Sequence, residues 1–172
     1  GFLDALRLEL LHEGHQISVT NILPASFNTP LFSKARTRLG VKPKGLPPIY
    51  DPRLVAAALL DAAEHRRRDV IVGDAGRVID VAQRLSPALV DSLLLATGFS
   101  GQRSAEPRSE TAPDNLEAPI AGYDRVDGDF QREVQPSLGE WLGRNPAATL
   151  TLGGVALGAA ALFAVRAVAR RS

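Results

Sequence analysis

The sequence predicts an α/β fold built around a parallel sheet, and three segments carry that reading. An amphipathic helical pattern fills residues 1–13, and a run rich in β-branched residues follows at 16–23. A second short apolar run, Val70-Ile71-Val72, lies beyond a helix that opens at Asp51-Pro52. Strand, long connection, helix and strand form a βαβ unit, whose two strands run parallel as neighbours or near neighbours in one sheet.

In the first helix Leu3, Leu6 and Leu10 recur at helical spacing, with Phe2 and Leu11 flanking them. Asp4, Arg7, Glu9 and Glu13 take the other faces. Gly14 is the stop, because glycine enters the left-handed region without a Cβ penalty. Burying each leucine contributes about 1.5–3 kcal/mol, so this helix needs a partner surface. The strand at 16–23 carries Ile17, Val19, Thr20 and Ile22 and ends at Pro24; its few polar interruptions predict burial on both faces. Asp51 offers an N-cap acceptor and Pro52 the first helical position. Val55, Leu59, Ala62 and Ala63 make that helix's apolar stripe, and Arg66, Arg67 and Arg68 complement its dipole at the C-terminal end. A strand at 69–73 follows. The helical pattern then resumes from Gly76 to Leu85, breaks at Ser86-Pro87 and continues to Ala96. From Ser100 to Pro136 the composition turns to Ser, Glu, Pro, Arg, Asp and Gly without periodicity, which predicts an exposed, mostly disordered linker. The expected organisation is therefore a folded part over 1–98, a flexible linker over 99–140 and an apolar C-terminal helix over 141–172.

Composition removes several functions. With no cysteine, disulfides, iron–sulfur clusters and thiolate zinc sites are excluded. His12, His15 and His65 have no partners at metal-ligand spacing, so no metal site is expected. Twenty basic and nineteen acidic residues are interspersed and give a net charge of +1, which offers nucleic acid no basic footprint. The chain has no methionine, and its first helix begins without an N-cap residue, which predicts further polypeptide upstream.

Between the first strand and the next helix lies Pro24-Ala25-Ser26-Phe27-Asn28-Thr29-Pro30. This is a chain reversal at the carboxyl end of a parallel strand, where open α/β sheets bind ligands. Small Ala25 admits a planar group close to the backbone, the peptide groups near Phe27 can pair with an amide, and Thr29 adds a hydroxyl. Helix, strand ending Ser18-Val19-Thr20, this turn, a variable loop, a helix and a short strand together resemble the C-terminal half of the short-chain dehydrogenase/reductase family. The resemblance spans roughly residues 1–97, and Gly1 to Leu10 is similar to the stretch that follows the family's Tyr-x-x-x-Lys motif. The chain departs from the family pattern at Ala25, where glycine is usual, and at Phe27, where valine or isoleucine is usual.

The resemblance implies the C-terminal part of a Rossmann-like doubly wound sheet and an NAD- or NADP-dependent enzyme that interconverts alcohols and ketones by hydride transfer. It implies cofactor contacts from Pro24, Ala25, Phe27 (through its backbone) and Thr29. The loop 31–50 corresponds to the family's substrate cover. Leu31, Phe32, Leu46 and Ile49 make it apolar and Pro43, Pro47 and Pro48 stiffen it, which points to a small apolar alcohol or ketone. A homo-oligomer through the first helix is also implied. The glycine-rich phosphate loop and the catalytic serine, tyrosine and lysine have no counterpart; neither Tyr50 nor Tyr123 is followed by lysine four residues on. Catalytic residues are therefore expected upstream of residue 1, and the chain by itself is expected to be inactive.

Residues 147–165 are uncharged and precede Arg166, Arg170 and Arg171, a length at the lower limit for a membrane span. Gly154 and Gly158 have the spacing that lets membrane helices approach closely, and Trp141 suits an interface. A cytoplasmic protein with membrane contact through this tail is expected, since the cofactor pool argues for the cytoplasm. The competing reading is a non-catalytic, membrane-tethered binding or scaffold module that shares the βαβ order.

Overall fold

The computed structural model describes residues 1–145 together with Ala147, Ala148 and Thr151. The chain divides into two compact units, one ending at Pro136 and one beginning at Ser137. Most of the apolar tail 147–165, including Gly154 and Gly158, and the arginines after it lie outside the described residues. Among the described residues no helix is long and apolar enough to cross a membrane.

The first unit opens with α1 (Phe2–His12). Gly14, at φ 75°, ends it as expected: the Gly14 and His15 amides donate back to the carbonyls of Leu11 and Leu10, the paired closure of a glycine-terminated helix. β1 (Asn21–Pro24) and β5 (Asp69–Val72) pair in parallel, Asn21 opposite Asp69 through Pro24 opposite Val72. This is the predicted βαβ pairing. β1 is shorter than the β-branched run, because residues 16–20 meet no strand; Val19 instead accepts from the Arg7 guanidinium at 2.9 Å.

Between them come β2 (Ser26–Phe27), α2 (Leu31–Lys34), β3 (Val41–Pro43), β4 (Ile49–Tyr50) and α3 (Arg53–Glu64). β2 and β4 form a second parallel pair. The Asp51 carboxylate accepts the Arg53 amide at 2.8 Å, so it caps α3 although Pro52 occupies the boundary position. Leu54, Val55 and Ala58 pack inward on Phe27, Tyr50 and Val72, whereas Leu59 is exposed. Val55 thus keeps its expected place, and Leu54 and Ala58 take the core contacts that the sequence pattern assigns to Leu59. α4 (Asp74–Leu85) and α5 (Pro87–Gly101) follow, divided at Ser86-Pro87.

The disordered linker expected beyond residue 99 is overturned over much of its length. β6 (Arg103–Pro107) pairs antiparallel with β3, a short 3-10 turn spans Gln131–Glu133, and Val134 bridges to Ile49 in parallel. The charges that made this segment look solvated are engaged in long-range pairs: Arg36 with Asp114 at 2.6 Å, Lys42 with Asp129 at 2.7 Å, Arg53 with Asp127 at 2.8 Å. Among the described residues the strands accordingly form three two-stranded pairs rather than one continuous sheet: an α/β fold with small parallel sheets. In the second unit α6 (Leu138–Arg144) is capped by Ser137, whose side chain accepts the Glu140 amide at 3.3 Å.

Candidate functional site

The turn that follows β1 lies at the carboxyl ends of β1 and β5. Pro24 is exposed at the end of the strand, and the Ala25 amide donates to the Val72 carbonyl at 3.0 Å, so the β1–β5 ladder continues one step into the turn. Across that step sits Gly73, at φ 93°. A Cβ there would stand 2.8 Å from the Tyr50 ring and 3.0 Å from the Ala25 methyl, so both the backbone angle and the space require glycine. The Tyr50 hydroxyl accepts the Ala75 amide at 3.0 Å in the first turn of α4, which ties the loop end of β4 to the helix after β5.

Phe27 is buried, its ring 5.9 Å from that of Tyr50 and tilted by 44°. The side chain therefore belongs to the core. Its backbone does not: the ladder bond to β4 runs from the Asn28 amide to the Tyr50 carbonyl at 2.9 Å, and strand alternation directs the Phe27 peptide groups to the other edge. There the Phe27 carbonyl accepts the Thr29 amide at 2.9 Å, which leaves it a second lone pair. Thr29 is half-buried, and its hydroxyl has no hydrogen-bond partner among the described residues. Pro24 and Ala25 thus belong to the β1–β5 ladder, and beyond them the turn offers the spare lone pair of the Phe27 carbonyl and the Thr29 hydroxyl. That donor and acceptor set fits a carboxamide.

The loop residues separate into two groups. Leu31 is exposed, Phe32 is half-buried edge-on to Phe130 at 6.2 Å, and Leu46 is half-buried against Gly101. Ile49 is 1% exposed, because β4 is flanked by β2 on one side and Val134 on the other. Its side chain is packing, not a lining of the loop's open face. A cavity of about 380 Å³ opens beside Lys34 and is walled by Leu116, Pro119, Ile120 and Tyr123. No residue of the turn 24–30 lines it.

Asn28 is the residue that sequence reasoning passed over. It is fully buried, and its side-chain amide donates to Gln131 at 3.1 Å and accepts the Phe130 amide at 2.9 Å, while its own carbonyl accepts the Gly128 amide at 2.9 Å. Nothing local signals this, since the partners of its side chain and carbonyl lie about a hundred residues downstream. Beside it, Lys42, Asp129, Ser33 and Arg125 form one cluster: Asp129 takes the Lys42 ammonium at 2.7 Å and is bonded by the Ser33 hydroxyl and the Arg125 guanidinium. The Lys42 ammonium and the Ser33 hydroxyl hold the Asp129 carboxyl down to about 2. The neighbouring carboxylates raise the Lys42 pKa against the opposing effect of its burial. Among the described residues no group of side chains could hold a metal ion.

The chain is 35% identical over 116 residues to a protein of Bacillus subtilis (strain 168) named uncharacterized oxidoreductase YxnA, a match that spans 65% of this chain. The aligned region makes up 33% of that relative, so the chain spans about a third of its length. No family model matches the chain, and no solved structure matches it.

Proposed function

We propose that this chain is the carboxyl-terminal portion of an NAD- or NADP-dependent oxidoreductase of the short-chain dehydrogenase type. The observation that carries the reading is the turn after β1, where the Phe27 carbonyl keeps a lone pair and the Thr29 hydroxyl has no partner among the described residues. Similarity to a protein named an oxidoreductase supports the coarser part of the reading, an oxidoreductase in general. In this reading Pro24 and Ala25 leave room for the nicotinamide ring, the Phe27 backbone pairs with its carboxamide, and Thr29 donates to the cofactor. When bound, that ring supplies or accepts the hydride. The chain's own residues bind and orient it, and the proton-transferring tyrosine, its lysine and the phosphate-gripping loop belong to polypeptide ahead of Gly1. Leu31, Phe32 and Leu46 then face a small apolar alcohol or ketone, and α1 is the contact for a second subunit.

The test is direct. Protein translated from the complete reading frame through Gly1 is titrated with NADH and with NADPH, followed by nucleotide fluorescence. Thr29→Val is expected to weaken binding about five- to tenfold, the effect of one lost hydrogen bond. A stop codon immediately ahead of Gly1, or a complete protein that binds neither nucleotide, would sink the assignment.

A further inference from the structure

The segment that composition marks as a linker returns across the turn and the loop 31–50, and its contacts are concentrated there. Gly128 lies against the turn so closely that a Cβ would stand 2.4 Å from the Thr29 carbonyl oxygen and 2.6 Å from the Asn28 side-chain oxygen. On either side of that glycine sit two carboxylates. Asp127 takes both guanidinium nitrogens of Arg53, at 2.8 and 2.9 Å, and Asp129 holds Lys42 and Ser33 from the loop. Farther along, the Gln135 amide donates to the Ile49 carbonyl at 2.8 Å and Glu133 faces Lys44 at 3.5 Å. At the upstream end Arg108 donates to the Ser33 carbonyl, and the Asn115 amide donates to the Lys34 carbonyl at 2.9 Å. The loop is thus gripped at both ends and at its middle by a single return segment.

We propose that residues 108–135 act as a clamp that sets the position of the loop 31–50 and of the Asn28–Thr29 turn, so that the site is completed by the chain's own return segment. The device is local. Its anchors are Asn28, Ser33, Lys42 and Arg53, and none of them belongs to the β1–β5 pair. Releasing it frees the loop and the turn and leaves that pair standing. Its effect on nucleotide affinity rests on the function proposed above; its effect on the loop does not.

Amide hydrogen exchange on the complete protein tests it, with Asp129→Asn to remove the ion pair and Gly128→Ala to wedge the clamp off the turn. Both variants are expected to speed exchange about tenfold or more at Asn28, Thr29, Ala35 and Lys44, with Leu23 and Val72 unchanged, as sub-global opening requires. Unchanged rates in the loop overturn the proposal, and so does equal acceleration of the β1 and β5 amides, which would mean only general loss of stability. Should Gly128→Ala fail to fold, Asp129→Asn decides alone. Titration of the same proteins with NADH and NADPH separates the two ideas. Wild type that binds neither nucleotide removes the oxidoreductase reading while exchange still judges the clamp, and binding that weakens in Asp129→Asn together with a loosened loop supports both.

Discussion

Asn28 commits its side-chain amide and its backbone carbonyl to partners about a hundred residues away, all of it out of contact with water. Truncating it to alanine orphans those partners, and the expected loss is about 2–4 kcal/mol in urea denaturation, the sum of a few buried hydrogen bonds. Gly73→Ala acts by strain instead: the left-handed φ and the 2.8 Å approach to Tyr50 act together, for an expected loss of about 2–4 kcal/mol. Tyr50→Phe removes only the bond from the Ala75 amide and should cost about 1 kcal/mol by the same measurement. Asp129 adds a pH signature. Its folded-state pKa, about 2, lies below the ordinary carboxylate value, so its stabilisation is fully present above the unfolded pKa and is lost as pH falls through the folded one. Acid unfolding of the wild type should steepen below about pH 4, and Asp129→Asn should flatten that limb by on the order of 2 kcal/mol.

The elements show where sequence reading reaches its limit. The β1–β5 pair, the glycine stop of α1, the Asp51 cap and the break between α4 and α5 were legible, because each is written in a few adjacent residues. The chain reversal after β1 was legible for the same reason, since Pro24 closes the strand and the Ala25 amide makes its last rung. β6 was not. Arg103 to Pro107 carries neither apolar alternation nor a β-branched run, and its strand exists because β3 offers it a ladder and Leu39 offers Arg103 a carbonyl at 2.9 Å. Ile49 was placed on the loop's apolar face for want of the same information. A two-residue strand enclosed by β2 and by Val134 has no local sign, since its second neighbour lies 85 positions on. The acidic character of residues 124–135 misled in a particular way: local composition cannot distinguish charges that face water from charges that face Lys42 and Arg53.

Across the first unit, apolar side chains remain uncovered on several helices. Phe2, Leu8 and Leu11 of α1 are 81%, 68% and 73% exposed, and Leu85, Leu95 and Phe99 on α4 and α5 are similar. A subunit contact through α1 therefore predicts that Leu8→Glu with Leu11→Glu lowers the sedimentation coefficient of the complete protein and leaves its circular dichroism unchanged. A wild-type protein that already sediments as a monomer would contradict that contact. One side of the molecule is protected from such association. The rung from the Gln135 amide to the Ile49 carbonyl occupies the hydrogen-bonding positions that a foreign strand would need in order to lengthen the β2–β4 ribbon. By lending its own backbone to that border, the polypeptide gives edge-to-edge polymerisation no template there, so sequence changes that dislodge residues 134–135 should seed fibrous deposits before they abolish folding.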